Sequence, residues 1–153
     1  MMTEEMRQLI YCMHFKGQSS PAIDEPRRIR ATSSATSCTV RTTVSPEGIA
    51  GSLEATEGDL AFLEAELHLT GAHTFSGTGT ITFGDQHLLR VTSAYEGHLG
   101  PSSVAQTVAG TVTWRAAGGE GQFANAQGQI TSNFTLSESG EVNDYHFGVL
   151  FLP

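Results

Sequence analysis

The sequence predicts an all-β protein, an antiparallel eight-stranded barrel (eight or nine strands in all) around a central apolar cavity. Three observations predict it. Apolar and polar residues alternate with a period of two through one segment after another, the pattern of strands with one buried face. Turn-forming residues recur at intervals of roughly 8–12, the spacing of sandwiches and barrels. No stretch reads as a long helix, whereas Gly (17 of 153 residues), Ser and Thr are abundant.

The elements follow in order. Residues 1–7 read as a flexible tail on a single domain spanning 1–153. Gln8 to Lys16 is a first strand, with Leu9, Tyr11, Met13 and Phe15 on one face and Ile10, Cys12 and His14 on the other. Both faces are largely apolar, so one is expected to face the interior and the other a partner subunit or flanking segment. GQSSPAIDEP (17–26) is dense in turn residues and reads as a loop. Arg27 to Val44 reads as one long or broken strand, and Ser45-Pro46-Glu47-Gly48 as a turn. Ile49, Gly51, Leu53 and Ala55 then alternate with polar neighbours up to a turn at Glu57-Gly58-Asp59.

Leu60 to Thr70 is ambiguous by composition, because Ala, Glu and Leu favour helix. Strict alternation of Ala61, Leu63, Ala65, Leu67 and Leu69 with their neighbours outweighs that propensity and predicts a strand. Two buried carboxylates would be costly, so Glu64 and Glu66 belong on a solvated outer face. His73 to Phe83 carries Phe75, Gly77, Gly79, Ile81 and Phe83 on one side and threonines and Ser76 on the other. A turn at Gly84-Asp85-Gln86 returns the chain along His87 to Tyr95, and 96–103 is a loop. Val104 to Arg115 is a strand, and pairing is expected to lapse over the glycines at 118, 119 and 121. Ile130 to Ser137 and Glu141 to Leu152 are the last two strands, joined by Glu138-Ser139-Gly140. The run FGVLFL is apolar on both faces, which implies a doubly covered wall or an oligomer contact, and a homo-oligomer is expected.

Bulk properties exclude several functions. Eight Lys and Arg against sixteen Asp and Glu give a net charge of −8, the wrong sign for a nucleic-acid backbone or an anionic membrane. No apolar run approaches the roughly 20 residues of a membrane helix. The acidic start MMTEEMRQ lacks the layout of a secretory signal, so a cytoplasmic protein is expected, with Cys12 and Cys38 as free thiols in preference to a single bridge between them.

The glycines at 118–128 do not form a dinucleotide-binding loop, because a strand rather than a helix follows them. The six histidines lack metal-ligand spacing, so neither a metal nor a cofactor is expected. The acid–base candidates are Cys12 and His14, two apart on the first strand, and His146 with Asp144 on the last. A thiol or imidazole inside an apolar barrel has the shifted acidity that proton transfer uses.

Two stretches resemble the allene oxide cyclase and dirigent barrel superfamily. They are Leu9 to Pro21 (LIYCMHFKGQSSP) and Gly119 to Gly128 (GEGQFANAQG), the latter similar to the family's G-x-G-x-F-x-x-A-x-G segment. Gly140 to Asp144 resembles the family's final hairpin. The resemblance implies an eight-stranded barrel, commonly dimeric or trimeric, that steers cyclisation or coupling of a reactive small molecule. Where allene oxide cyclases carry an inward Glu and, two positions on, an Asn, this chain has Cys12 and His14. The reading is therefore a small-molecule cyclase or isomerase acting on an apolar substrate. Cys12, His14 and His146 are its catalytic candidates, and Tyr95, Trp114, Asn133 and Asp144 its substrate contacts. A non-catalytic carrier or sensor of a small hydrophobic ligand is the alternative.

Overall fold

The computed structural model describes residues 7–33, 36–46, 48–57 and 61–153. The expected tail falls on residues outside these, except Arg7, which opens the first strand. The strands are β1 (Arg7–Ser19), β2 (Arg27–Ser33), β3 (Thr36–Ser45), β4 (Gly48–Glu57), β5 (Ala61–Leu69) and β6 (Thr74–Phe83). They continue as β7 (His87–Ser93), β8 (Gly97–Pro101), β9 (Thr107–Glu120), β10 (Gln127–Ser137) and β11 (Glu141–Leu152). A single 3-10 turn, Gly121–Phe123, is the one helical piece among the described residues. No helix among them is long and apolar enough to cross a membrane.

Eight strands hydrogen-bond side by side in the order β1-β2-β5-β6-β7-β9-β10-β11, and β11 pairs with β1 to close an antiparallel barrel. Closure leaves no free sheet edge in the wall. Short β8 extends the place of β7, pairing with β9 at His98↔Thr111 and with β6 at Phe75↔Gly97. The segment read as one long or broken strand is two strands: β2 lies in the wall, whereas β3 and β4 form a separate antiparallel hairpin.

Alternation places the core. Ala61, Leu63, Ala65 and Leu67 of β5 are buried while Phe62, Glu64 and His68 are exposed, so the periodicity of this segment prevails over its helix propensity. Phe15, Phe75, Ile81, Leu89 and Leu150 have no exposed surface. Each such side chain contributes about 1.5–3 kcal/mol by leaving water. Rings take the space that glycines leave. A Cβ on Gly97 would strike the ring of Phe75, and one on Gly110 the ring of Phe134. Those two rings meet with centroids 5.8 Å apart at 63°.

The glycine corner is shorter than expected. β9 does not end at Arg115: its pairing with β7 continues to Leu88↔Glu120. Between Leu89↔Gly119 and Val91↔Ala116 the register shifts, with one more residue on β9 than on β7, which is a β-bulge. Gly118, at φ 99°, supplies the left-handed residue that lets the strand kink and go on. Only then does the chain turn, burying Phe123 and Ala126 over that end of the barrel.

Candidate functional site

The interior carries one polar chain. Register aligns Met13 on β1 with His146 on β11, His146 with Ser132 on β10, and Phe15 with Asp144. All of these side chains point inward, because Tyr11, Met13 and Phe15 share the buried face of β1, and Val142, Asp144, His146 and Leu150 that of β11. His146 Nε2 lies 2.9 Å from Asp144 Oδ2, Ser132 Oγ donates to Asp144 Oδ1 at 2.5 Å, and Tyr11 Oη lies 3.1 Å from His146 Nδ1.

Chemistry fixes the directions of these bonds. A carboxylate only accepts, so Nε2–H donates to Asp144. In the neutral ring Nδ1 then holds a lone pair and accepts from the Tyr11 hydroxyl. A phenol, an imidazole and a carboxylate in series form a proton relay of the kind that orients a catalytic base. Burial foremost, and then the charge of Asp144, raise the pKa of Tyr11 well above that of an ordinary phenol. The phenol is therefore a donor at neutral pH.

Aromatic rings surround the chain. His146 sits 5.0 Å from Phe15 and 5.9 Å from Tyr11 between ring centroids. Tyr11 meets Phe83 edge-on, and Phe83 packs on Phe123 at 5.0 Å. One row along the barrel, Tyr11 aligns with Gly148, Gly148 with Ile130, and Ile130 with Trp114. The Trp114 indole is buried, and its Nε1–H is the one buried side-chain polar atom among the described residues with no hydrogen-bond partner. Such an orphaned donor costs about 1–3 kcal/mol, so an acceptor from outside the chain would find it favourable.

Of the residues singled out from sequence, the structure brings His146, Asp144 and Trp114 into the interior. It corrects the others. Cys12 and His14 lie on the outer face of β1, because the fully buried Phe15, with Tyr11 and Met13, takes the inner one. Cys12 is disulfide-bonded, so it is neither a free thiol nor an acid–base group. His14 stacks on Tyr145 at 4.2 Å and 7° and donates through Nε2 to Asn143 Oδ1 at 3.2 Å. Tyr95 is 69% exposed in the loop before β8, and Asn133 faces outward between the buried Ser132 and Phe134. Neither reaches the interior.

Tyr11 and Ser132 were missed. The available signal was a single hydroxyl on an otherwise apolar face: Ser132 among Ile130, Phe134 and Leu136, and Tyr11 among Leu9, Met13 and Phe15. No three or more His, Cys, Asp or Glu side chains among the described residues are grouped to hold a metal.

The barrel interior is lined by the buried core residues and is largely apolar apart from this polar chain. Three cavities formed by described residues lie elsewhere. One of about 480 Å³ lies on the outer wall between Arg28, Glu64, Thr78 and Arg90. Two lie where β1 ends and β2 begins, a cleft of about 690 Å³ and a pocket of about 40 Å³. No protein-family model, no curated protein and no solved structure matches the chain.

Proposed function

We propose that the protein is a small-molecule isomerase or cyclase that moves a proton on an apolar substrate inside the barrel. The observation that carries the reading is the orphaned Trp114 Nε1–H in the same interior as the Tyr11–His146–Asp144 relay. A ligand oxygen, such as a ketone or epoxide oxygen, would accept from the indole. Charge that develops on that oxygen would be stabilised there, as at an oxyanion hole. Tyr11 would take a proton from a substrate carbon as its own passes to His146 Nδ1, Asp144 would stabilise the resulting imidazolium, and the reverse transfer would return a proton to the substrate. Phe83 and Phe123 close the barrel over Tyr11, so these are the rings that must swing aside for entry. The resemblance of residues 9–21 and 119–128 to allene oxide cyclases and dirigent barrels supports the same class of chemistry.

A carrier is the second reading, and one observation favours it: Tyr11, His146, Asp144 and Ser132 satisfy one another. Self-association would use the outer face of β11, where Tyr145, Phe147 and Phe151 are exposed. Sedimentation at increasing concentration tests that part.

The chain has a single tryptophan, so its emission reports on the site directly. Apolar ketones and epoxides are titrated against that emission, and those that bind are incubated in deuterated water and followed by mass spectrometry. The enzyme reading expects binding with deuterium uptake or conversion. Tyr11→Phe should bind similarly and react about 10²–10⁴-fold more slowly. Binding without exchange in the unmodified protein supports the carrier. Unchanged emission across the series counts against both.

A further inference from the structure

At the mouth where β1 ends, one arginine points the wrong way for a surface charge. Along β2 the burial alternates, with Ile29, Ala31 and Ser33 inside and Arg28, Arg30 and Thr32 outside. Arg27 has the inward parity and stands opposite Leu67, itself buried in the core. Its Nε donates to Ser19 Oγ at 2.7 Å. Ser19 spends its own hydrogen on the carbonyl of Ser20 at 2.9 Å, which leaves its lone pairs facing the guanidinium.

The two terminal nitrogens make no hydrogen bond and no ion pair among the described residues. Three carboxylates line the same cavities, yet none comes within ion-pairing distance of Arg27: Asp24, Glu25 and Glu138. Glu25 is turned instead toward His68, at 3.4 Å. Arg28, Arg30 and Arg90 on the outer wall, by contrast, all have glutamate partners. Partial burial disfavours the charge of Arg27 and lowers its pKa, a cost that an anionic partner would relieve.

The surroundings have two characters. On one side is the cleft of about 690 Å³, lined by hydroxyls including Ser20, Ser102 and Ser137. On the other is the pocket of about 40 Å³, floored by Leu67, Phe75, Leu99 and Leu136 and edged by Leu69. Arg27 lines both. A guanidinium fork with free terminal donors matches a planar oxyanion in bidentate fashion. The apolar pocket beside it has room for only a small branched or aromatic group.

We propose that Arg27 at this mouth binds the carboxylate of a compact organic anion, whose apolar end rests on Leu67, Phe75, Leu99 and Leu136. This site is separate from the Tyr11–His146–Asp144 relay and stands or falls independently of it.

The probe is isovalerate, titrated into the full chain and followed by amide nitrogen–proton spectra. Its neutral isostere isovaleramide and inorganic phosphate serve as comparisons. Saturable shifts are expected at Ser20, Arg27, Leu67 and Leu99, with isovaleramide and phosphate each at least about tenfold weaker, the worth of one charge-assisted pair. Arg27→Met should weaken isovalerate by a similar factor while the remaining spectrum shows the barrel intact. Leu69→Asp, at a position already 57% exposed, should also weaken it by placing a like charge at the pocket's edge. Equal binding of isovalerate and isovaleramide, or undiminished binding in Arg27→Met or Leu69→Asp, overturns the proposal. Phosphate binding as tightly as isovalerate overturns the apolar half. No saturable shift up to millimolar isovalerate, or of benzoate in its place, overturns the whole.

Discussion

Tyr11→Phe separates the relay from its setting. The substitution keeps the ring and its contact with Phe83 and removes one hydroxyl. At neutral pH the structure predicts a loss of about 1–3 kcal/mol, because His146 Nδ1 is left in the buried interior without its donor. Raising the pH should then narrow the gap between the two proteins. The phenol of Tyr11 is held well above its ordinary range by burial and by Asp144. In the unfolded chain it ionises near pH 10, whereas in the fold it keeps its proton past that point. The unfolded state therefore releases its proton first. The contribution is intact below about pH 10 and falls as pH rises through the window between unfolded and folded values, by up to about 1.4 kcal/mol per pH unit. Phenylalanine has no proton to lose, so the variant lacks this component of alkaline destabilisation. Urea unfolding of both proteins, read by Trp114 emission from about pH 8 to about pH 11, measures the difference. A gap that stays constant or widens over that range would refute the assignment of Tyr11 as a buried, protonated donor.

Three further outcomes follow from contacts elsewhere. Gly17→Ala should lower the unfolding free energy from urea titration by about 1–3 kcal/mol or more, since its Cβ would press on the backbone of Arg30 and Ala31, whereas Gly100→Ala, with open space around it, should stay within about 0.5 kcal/mol. Glu66→Gln should also change stability by no more than about 0.5 kcal/mol, because its contacts to Arg28 at 3.4 Å and His68 at 3.9 Å lie in solvent that screens them; a larger loss in denaturant titration would contradict that. Cys12 should resist alkylation until the chain is reduced, and Cys12→Ala should cost about 2–4 kcal/mol in the same titration.

Much of the barrel was legible because the side-chain period of a strand is two and each buried face is nearly continuous. Residues 60–70 show this most clearly, with composition favouring helix and spacing favouring strand, and over Ala61–Leu69 the structure follows spacing. The last strand was legible down to its chemistry, since Asp144 and His146 fall on one face and the structure pairs them there. The first strand was not, for a physical reason. Its two faces, Leu9-Tyr11-Met13-Phe15 and Ile10-Cys12-His14, are both apolar enough to be buried, so alternation says which residues share a face but not which face is inside. Reading polar groups into the interior chose the wrong one. Volume was the better guide, because a closed barrel needs large side chains to fill it, and Tyr11, Met13 and Phe15 supply them. The disulfide at Cys12 and the bulge at 116–119 depend on long-range register that two distant segments set together.

The buried polar chain bears on function because it is a poor device for stability. Replacing a buried ion-paired set with apolar side chains of similar volume is often neutral or stabilising, whereas removing one member is costly. A barrel already filled by Phe15, Phe75, Phe134 and their neighbours has no need of a carboxylate at its centre to hold together. What Asp144 does supply is direction. It fixes which nitrogen of His146 carries the proton, and so which way the Tyr11 hydroxyl points. A purely structural network would be expected to leave no group unmet. Among the described residues the one unmet buried donor, Trp114 Nε1, lies in the row that β-pairing links to Tyr11 through Gly148 and Ile130. An oriented donor chain and an unanswered donor in one barrel interior are the two features on which the proposed ligand reading rests.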